Sequence, residues 1–251
     1  MTILSQDKKR LDLLLVETGV APSRQRARAM IMSGNVLVNE QPVDKPGFLT
    51  SSNARIELKK KDIPYVSRGG LKLESVLRSL EYVLNGYVCL DVGASTGGFS
   101  DCLLQHGAMR VYAVDVGYGQ LAWKLRQDDR VVVIERTNIR YMPVSAIPED
   151  VDLATIDVSF ISLKIVVPAV LKFLKPDGRI LALIKPQFEV GKGNVGKGGV
   201  VRDSRLHAKV IAELSEFFSG LNLVSDHVIP SPVLGPKGNR EFFISLRRPQ
   251  R

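Results

Sequence analysis

The chain has 251 residues, 35 of them Lys or Arg against 26 Asp or Glu, for a formal net charge of +9. That length buries a substantial core in one large domain or two unequal ones, and the surplus of cations favours an anionic partner such as nucleic acid. Two cysteines, Cys89 and Cys102, and three scattered histidines argue against a disulfide framework or a structural zinc site, and no apolar run approaches the roughly 18 residues of a membrane helix.

A reduced, metal-free cytoplasmic protein without a cleavable signal or membrane contact is therefore expected. The positive charge is denser at the start: residues 1–65 carry 11 basic and 7 acidic side chains, the remainder 24 and 19. Residues 10–18 place Leu11, Leu14 and Leu15 on one helical face and stop at Gly19. Pro22 and Ser23 offer an N-cap for a second helix over 24–33, ended by Gly34. A short strand follows at 36–38, a turn at 39–41 and another strand at 55–58. The run Lys59, Lys60, Lys61, Asp62, Ile63, Pro64 breaks the pattern, dividing a small α+β domain, 1–62, from a larger one, 63–251.

On the second helix Arg24 and Arg28 share a face and Arg26 lies on another. Taken alone, these arginines read as an ordinary solvated surface. The stretch from Arg10 through Arg28 (RLDLLLVETGVAPSRQRAR), with 31–39 (IMSGNVLVN), resembles the small RNA-binding module shared by a small-subunit ribosomal protein, pseudouridine synthases and tyrosyl-tRNA synthetases. The resemblance implies that Arg10, Arg24, Arg26 and Arg28 meet RNA.

From residue 66 a helix is followed by strands alternating with helices, the order of a doubly wound α/β domain. Apolar runs bounded by turn signals predict strands at 88–92, 111–114, 131–134, 153–156, 180–184, 224–229 and 242–246. A Pro- and Gly-rich bend at 230–238 lets the last strand return antiparallel. That order suits a Rossmann-like class I methyltransferase, a mostly parallel seven-stranded sheet with helices on both faces.

The first of these strands runs into Asp91, Val92, Gly93, Ala94, Ser95, Thr96, Gly97, Gly98 and Phe99, with a helix expected to start near Ser100. Gly93 and Gly97 allow a tight turn and a close ligand. The spacing is not the dinucleotide G-x-G-x-x-G, and nothing obvious cradles a pyrophosphate. With Asp91 placed to meet an ammonium and Asp115, ending the next strand, to accept from ribose hydroxyls, S-adenosylmethionine suits the turn better. Asn138 follows the third strand, where an adenine edge would lie, though alone it reads as a turn residue. The run from Gly191 to Gly198 (GKGNVGKG) nearly spells a phosphate-binding loop, but Gly198 stands where Ser or Thr is needed. A basic loop able to touch RNA phosphates, or a solvated surface loop, remains.

Lys72, Asp157, Lys185 and Glu241 fall at the carboxyl edge of the sheet, where such folds bind ligands. Each alone would pass for a solvated charge. As a set they resemble the Lys-Asp-Lys-Glu tetrad of FtsJ-type RNA ribose 2'-O-methyltransferases. Phrases at Ser67 (SRGGLKL), Asp91 (DVGASTGGF), Asp157 (DVSFISL), Lys185 (KPQFE) and Gly238 (GNRE) extend the resemblance to the TlyA family, also called hemolysin A, over nearly the whole chain. It implies methyl transfer from S-adenosylmethionine to a cytidine ribose of ribosomal RNA, with ribosomal RNA or subunits as partner. Lys185 is expected to take the hydroxyl proton, Asp157 and Glu241 to orient, and Lys72 to position charge. Other classes predict other features. A membrane-active toxin calls for a long amphipathic cationic stretch, a non-catalytic assembly factor for a damaged tetrad, and a base methyltransferase for an Asn/Asp-Pro-Pro platform or a catalytic cysteine.

Overall fold

The structure, a computed structural model, describes residues 8–58 and 63–249; the expected linker at 59–62 lies outside them. The chain divides into two compact units, Met1–Asp62 and Ile63–Arg251.

In the N-terminal unit β1 (Lys8–Arg10) leads into α1 (Leu11–Glu17) and α2 (Arg24–Met32), followed by β2 (Val36–Val38), β3 (Gln41–Val43), β4 (Leu49–Ser51) and β5 (Ile56–Leu58). Helical spacing turns Leu11 and Leu15 of α1 and Ala27, Met30 and Ile31 of α2 into one core with Val36 and Val38. Ser23 caps α2, its Oγ accepting the Arg26 backbone N–H at 3.2 Å. The strands form an antiparallel sheet β3-β2-β5 and a separate pair β1-β4. Gln41, expected in the turn, instead opens β3. The hairpin needs only Asn39 and Glu40, both at positive φ (49° and 66°), as a two-residue connection requires.

The C-terminal unit runs α3 (Gly69–Ser79), β6 (Val88–Val92), α4 (Gly98–Gln105), β7 (Arg110–Val114), α5 (Trp123–Arg126), β8 (Val131–Ile134), β9 (Val151–Ile156), α6 (Leu163–Val170), β10 (Leu174–Ile184), α7 (Pro186–Glu189), α8 (Ser204–Gly220), β11 (Val224–Pro230) and β12 (Phe242–Arg247). Its seven strands lie in the order β11-β12-β10-β9-β6-β7-β8. Neighbours from β10 to β8 are parallel, while β12 runs antiparallel to both β10 and β11.

Period-two alternation explains why the strands read as unbroken apolar runs. Leu90, Val92, Ile180, Ala182 and Ile184 point to the face covered by α6 and α8. Cys89, Leu181 and Leu183 point to the other, covered by α3 and α4. With both faces buried, polar side chains are driven to the strand ends. The carboxyl ends of β6, β7, β9 and β10 share one edge. Because β12 is reversed, its first residue joins them there: Phe242 pairs with Ile184, which sets Glu241 beside Lys185 in the sheet.

Candidate active site

Two ion pairs occupy that edge. Lys185, following β10, puts Nζ 2.5 Å from Asp157 Oδ1 and donates to Ser159 Oγ at 3.1 Å. Lys72, in the first turn of α3, donates to Glu241 Oε2 at 2.6 Å. All four members of the expected tetrad are thus brought together as two neutral pairs, with both lysines and Glu241 buried. Glu241 Oε1 is buried against Gly235, where a Cβ would stand 2.0 Å from it, so this carboxylate holds Lys72 from behind the cavity wall. Lys72, Asp157 and Lys185 line a cavity of about 380 Å³ together with Thr96, Gly98 and Phe99.

A second cavity, about 520 Å³, adjoins the first, and Gly93, Ser95, Asp157 and Ser159 line both. Asp115 sits in it with each carboxylate oxygen accepting one backbone N–H, from Ser95 at 2.8 Å and Gly117 at 2.6 Å. The remaining lone pairs suit a diol. Val116, Ile139 and Phe160 supply apolar walls, and Asn138 lies at the rim. The Asn138 Oδ1 accepts from the Arg140 backbone, so the side chain also serves a turn.

The glycine-rich segment departs from expectation in three ways. Asp91, expected to meet an ammonium, is fully buried, lines neither cavity, and accepts from Ser100 Oγ at 2.6 Å and Thr155 Oγ1 at 3.2 Å. Burial pushes its carboxyl up to about 7. Gly97 (φ 93°) serves packing rather than a ligand: a Cβ there would lie 2.2 Å from the Leu125 side chain. Helix α4 begins at Gly98, ahead of Ser100, because this left-handed Gly97 is its cap. Gly93 (φ 84°) is needed because a Cβ would stand 2.5 Å from the Asp157 carbonyl oxygen. Its absence lets the ends of β6 and β9 close on each other, which places Asp157.

The sequence reading gave no role to several residues that buttress Lys185 and the loop after β9. The segment from Lys185 to Glu189 locks onto the loop after β9 at successive points: Lys185 on Asp157 and Ser159, Phe188 against Phe160 with ring centroids 4.9 Å apart, and Glu189 accepting from Ser162 Oγ and the Leu163 N–H. Phe160 is 89% exposed and held at φ 64°. Burial raises the Glu189 carboxyl despite those donors. The near phosphate-binding stretch forms two short turns, Lys192–Asn194 and Lys197–Gly199. The Asn239 side chain ties it down, accepting from Val201 N–H and donating to Gly199 O. Both cysteines are buried, and burial pushes the Cys102 thiol up to about 12 and Cys89 higher still, which makes them poor nucleophiles.

In the N-terminal unit Arg24 and Arg28 flank one shallow recess with Met32, Arg26 is exposed on another side of α2, and Arg10 lies on β1. Arg10 and Arg24 both bond Asp12, a residue the sequence reading passed over.

The profile of the FtsJ-like methyltransferase family matches residues 65–248, and that of the S4 domain matches residues 9–56. The chain belongs to the FtsJ-like methyltransferases of the TlyA family. Among TlyA relatives, the 16S/23S rRNA (cytidine-2'-O)-methyltransferase TlyA of Mycobacterium tuberculosis is 46% identical over 96% of this chain and 90% of its own length. Hemolysin A of Brachyspira hyodysenteriae is 39% identical over 93% and 98%. A solved structure from Streptococcus thermophilus, described as a candidate hemolysin, superposes with TM-score 0.75 at 42% identity, covering 97% of this chain and 90% of that one. Among the described residues no helix is long and apolar enough to cross a membrane, and no group of acidic, histidine or cysteine side chains could hold a metal ion. The chain is a methyltransferase with an S4 domain ahead of its catalytic unit.

Proposed function

We propose that this chain transfers the methyl group of S-adenosylmethionine to the ribose 2'-hydroxyl of a cytidine in ribosomal RNA, with the S4 unit holding the RNA. The observation that carries this reading is the adjacency of the two cavities: one with an acceptor carboxylate and apolar walls, the other faced by two lysine–carboxylate pairs, joined at Asp157 and Ser159. The rRNA methyltransferase relative, similar over nearly its full length, supports the substrate. Such a substrate puts the enzyme in the cytoplasm.

The residues fit the cofactor. Asp115 would accept from its ribose hydroxyls, Val116, Ile139 and Phe160 would flank the adenine, with Asn138 at its edge. Ser95, Thr96, Gly98 and Phe99 would form the wall toward the first cavity. Asp91 would act from behind by fixing Ser100 and Thr155. When bound, the cofactor supplies a methyl already activated by a sulfonium charge.

A ribose hydroxyl is a poor nucleophile until its proton is leaving, so this chain must align the hydroxyl and accept that proton. Lys185 in its neutral form would take that proton on Nζ, while the methyl, bonding to the 2'-oxygen, would be released from the cofactor's sulfur, which would leave as an uncharged thioether. Asp157 and Ser159 hold Nζ in place. Lys72, anchored by Glu241, contributes a fixed positive charge at the same cavity. The test is labelled-methyl transfer to purified ribosomal subunits, with the product nucleotide read by mass spectrometry. 2'-O-Methylcytidine is expected with the wild type and not with Lys185→Ala. No transfer to either subunit or to naked ribosomal RNA from folded protein would overturn the proposal.

A further inference from the structure

Asp12 lies in α1 between the core residues Leu11 and Leu15 and has no solvent exposure. Its carboxylate faces two guanidiniums. Arg10 donates from Nε to Oδ1 and from Nη2 to Oδ2, both at 3.0 Å, and Arg24 donates from Nε to Oδ2 at 2.9 Å. The acid is sealed while its partners are not: the arginine side chains are 44% and 55% exposed. The cluster therefore carries a net charge of +1 with its cations facing water. Arg24 also shares its helix face with Arg28 and Met32.

A carboxylate on an RNA-binding face weakens phosphate binding by charge alone. Its presence makes sense through geometry. Free arginine side chains lose rotamer freedom when they grip a phosphate, and a guanidinium fixed beforehand does not. Asp12 uses two of the five donors of Arg10 and one of those of Arg24, which keeps others for an external anion.

We infer that Asp12 is a positioning residue of the S4 unit, locking Arg10 and Arg24 into one rigid pair of guanidiniums that grips the RNA backbone. This rests on the reading of that unit as RNA-binding. A purely structural role, tying α1 to β1 and α2, predicts the opposite response to neutralisation. Removing the acid raises the net charge of the face by one, so a protein that stays folded should then bind RNA as tightly or more tightly.

The experiment measures binding of the full chain to labelled large-subunit ribosomal RNA over a range of salt, below the unfolding temperature of each variant, together with steady-state methyl transfer. With Asp12→Asn, RNA affinity is expected to fall about tenfold despite the added positive charge, the loss appearing in KM for RNA rather than in kcat. Arg24→Lys, which keeps the charge but not the fork, should weaken binding too. Unchanged or tighter binding by folded Asp12→Asn overturns the inference. Should Asp12→Asn fail to fold, wild-type affinity in Arg24→Lys overturns it. If Arg10→Ala and Arg24→Ala both bind RNA like the wild type, the RNA-binding reading of this unit falls, and the inference with it.

Discussion

At one end of this chain a single buried carboxylate faces two arginines; at the other, two carboxylates face two lysines, one each. The ingredients are alike and the outcomes differ. Around Asp12 the hydrogen bonds from Arg10 hold the carboxyl down at about 2, and arginine keeps its charge at any pH the protein meets. That cluster is a permanent cation turned toward water. The Lys72–Glu241 and Lys185–Asp157 pairs are balanced and mostly enclosed, with lysine side chains 10% exposed. Lysine can exchange a proton, so the arrangement suits chemistry rather than grip. On the functions proposed above, the number of acids per base, and which base it is, would separate a surface that binds from one that reacts.

The most severe test of this contrast is replacement of the proposed base. Lys185→Ala should lower the methyl-transfer rate by about 10²- to 10⁴-fold, and Lys185→Arg should fail as badly, since a guanidinium does not give up a proton. Near-normal single-turnover rates in Lys185→Arg would dissolve the distinction between the two ends. Next comes the other pair. Glu241→Gln leaves the Lys72 ammonium buried without its counter-charge and should destabilise the catalytic unit by about 3 kcal/mol, read from denaturant unfolding. Asp115→Asn should weaken S-adenosylmethionine binding by about tenfold, the loss of a charged hydrogen-bond acceptor, measured by calorimetry.

A further test is a pair of opposite pH slopes. The Asp12 carboxyl is held below its ordinary value, so its stabilisation is complete above that value, 3.8, and is lost as the pH falls toward about 2. The Asp91 carboxyl is raised by burial, so its contribution is favourable below 3.8 and is lost as the pH climbs toward about 7. Unfolding free energies followed from pH 2 to 8 should therefore show a shallower alkaline decline for Asp91→Asn and a shallower acid decline for Asp12→Asn. Parallel curves for wild type and variants would refute both assignments.

Much of this architecture is legible in the sequence because the sheet is buried on both faces. Continuous apolar runs mark β6, β8 and their neighbours, and the charged residues that interrupt them at the carboxyl edge stand out. Three-residue strands such as β1, β3 and β4 leave no alternation to read. Asp12 offers a signal that is easy to pass over. An acid placed between Leu11 and Leu15 sits on the apolar side of α1 and therefore needs a cation close by. Asp91 and Gly97 mislead for a related reason: a side chain or a missing Cβ at a ligand turn looks the same whether it serves the ligand or the packing behind it. Phe188 and Glu189 are invisible as site residues until the loop after β9 is seen lying against them.

The reversed strand β12 has a consequence for synthesis. It fills the place between β10 and β11, which both precede it in the chain, and its Phe243, Ile244 and Leu246 complete the core on the two faces. A ribosome making this chain releases Lys72, Asp157 and Lys185 long before Glu241. Until then the sheet carries two unpaired edges where one strand is due, and Lys72 has no counter-ion. Long-range pairing of this kind is slow to form, so the Lys72–Glu241 contact is expected among the last features of the catalytic unit to be completed.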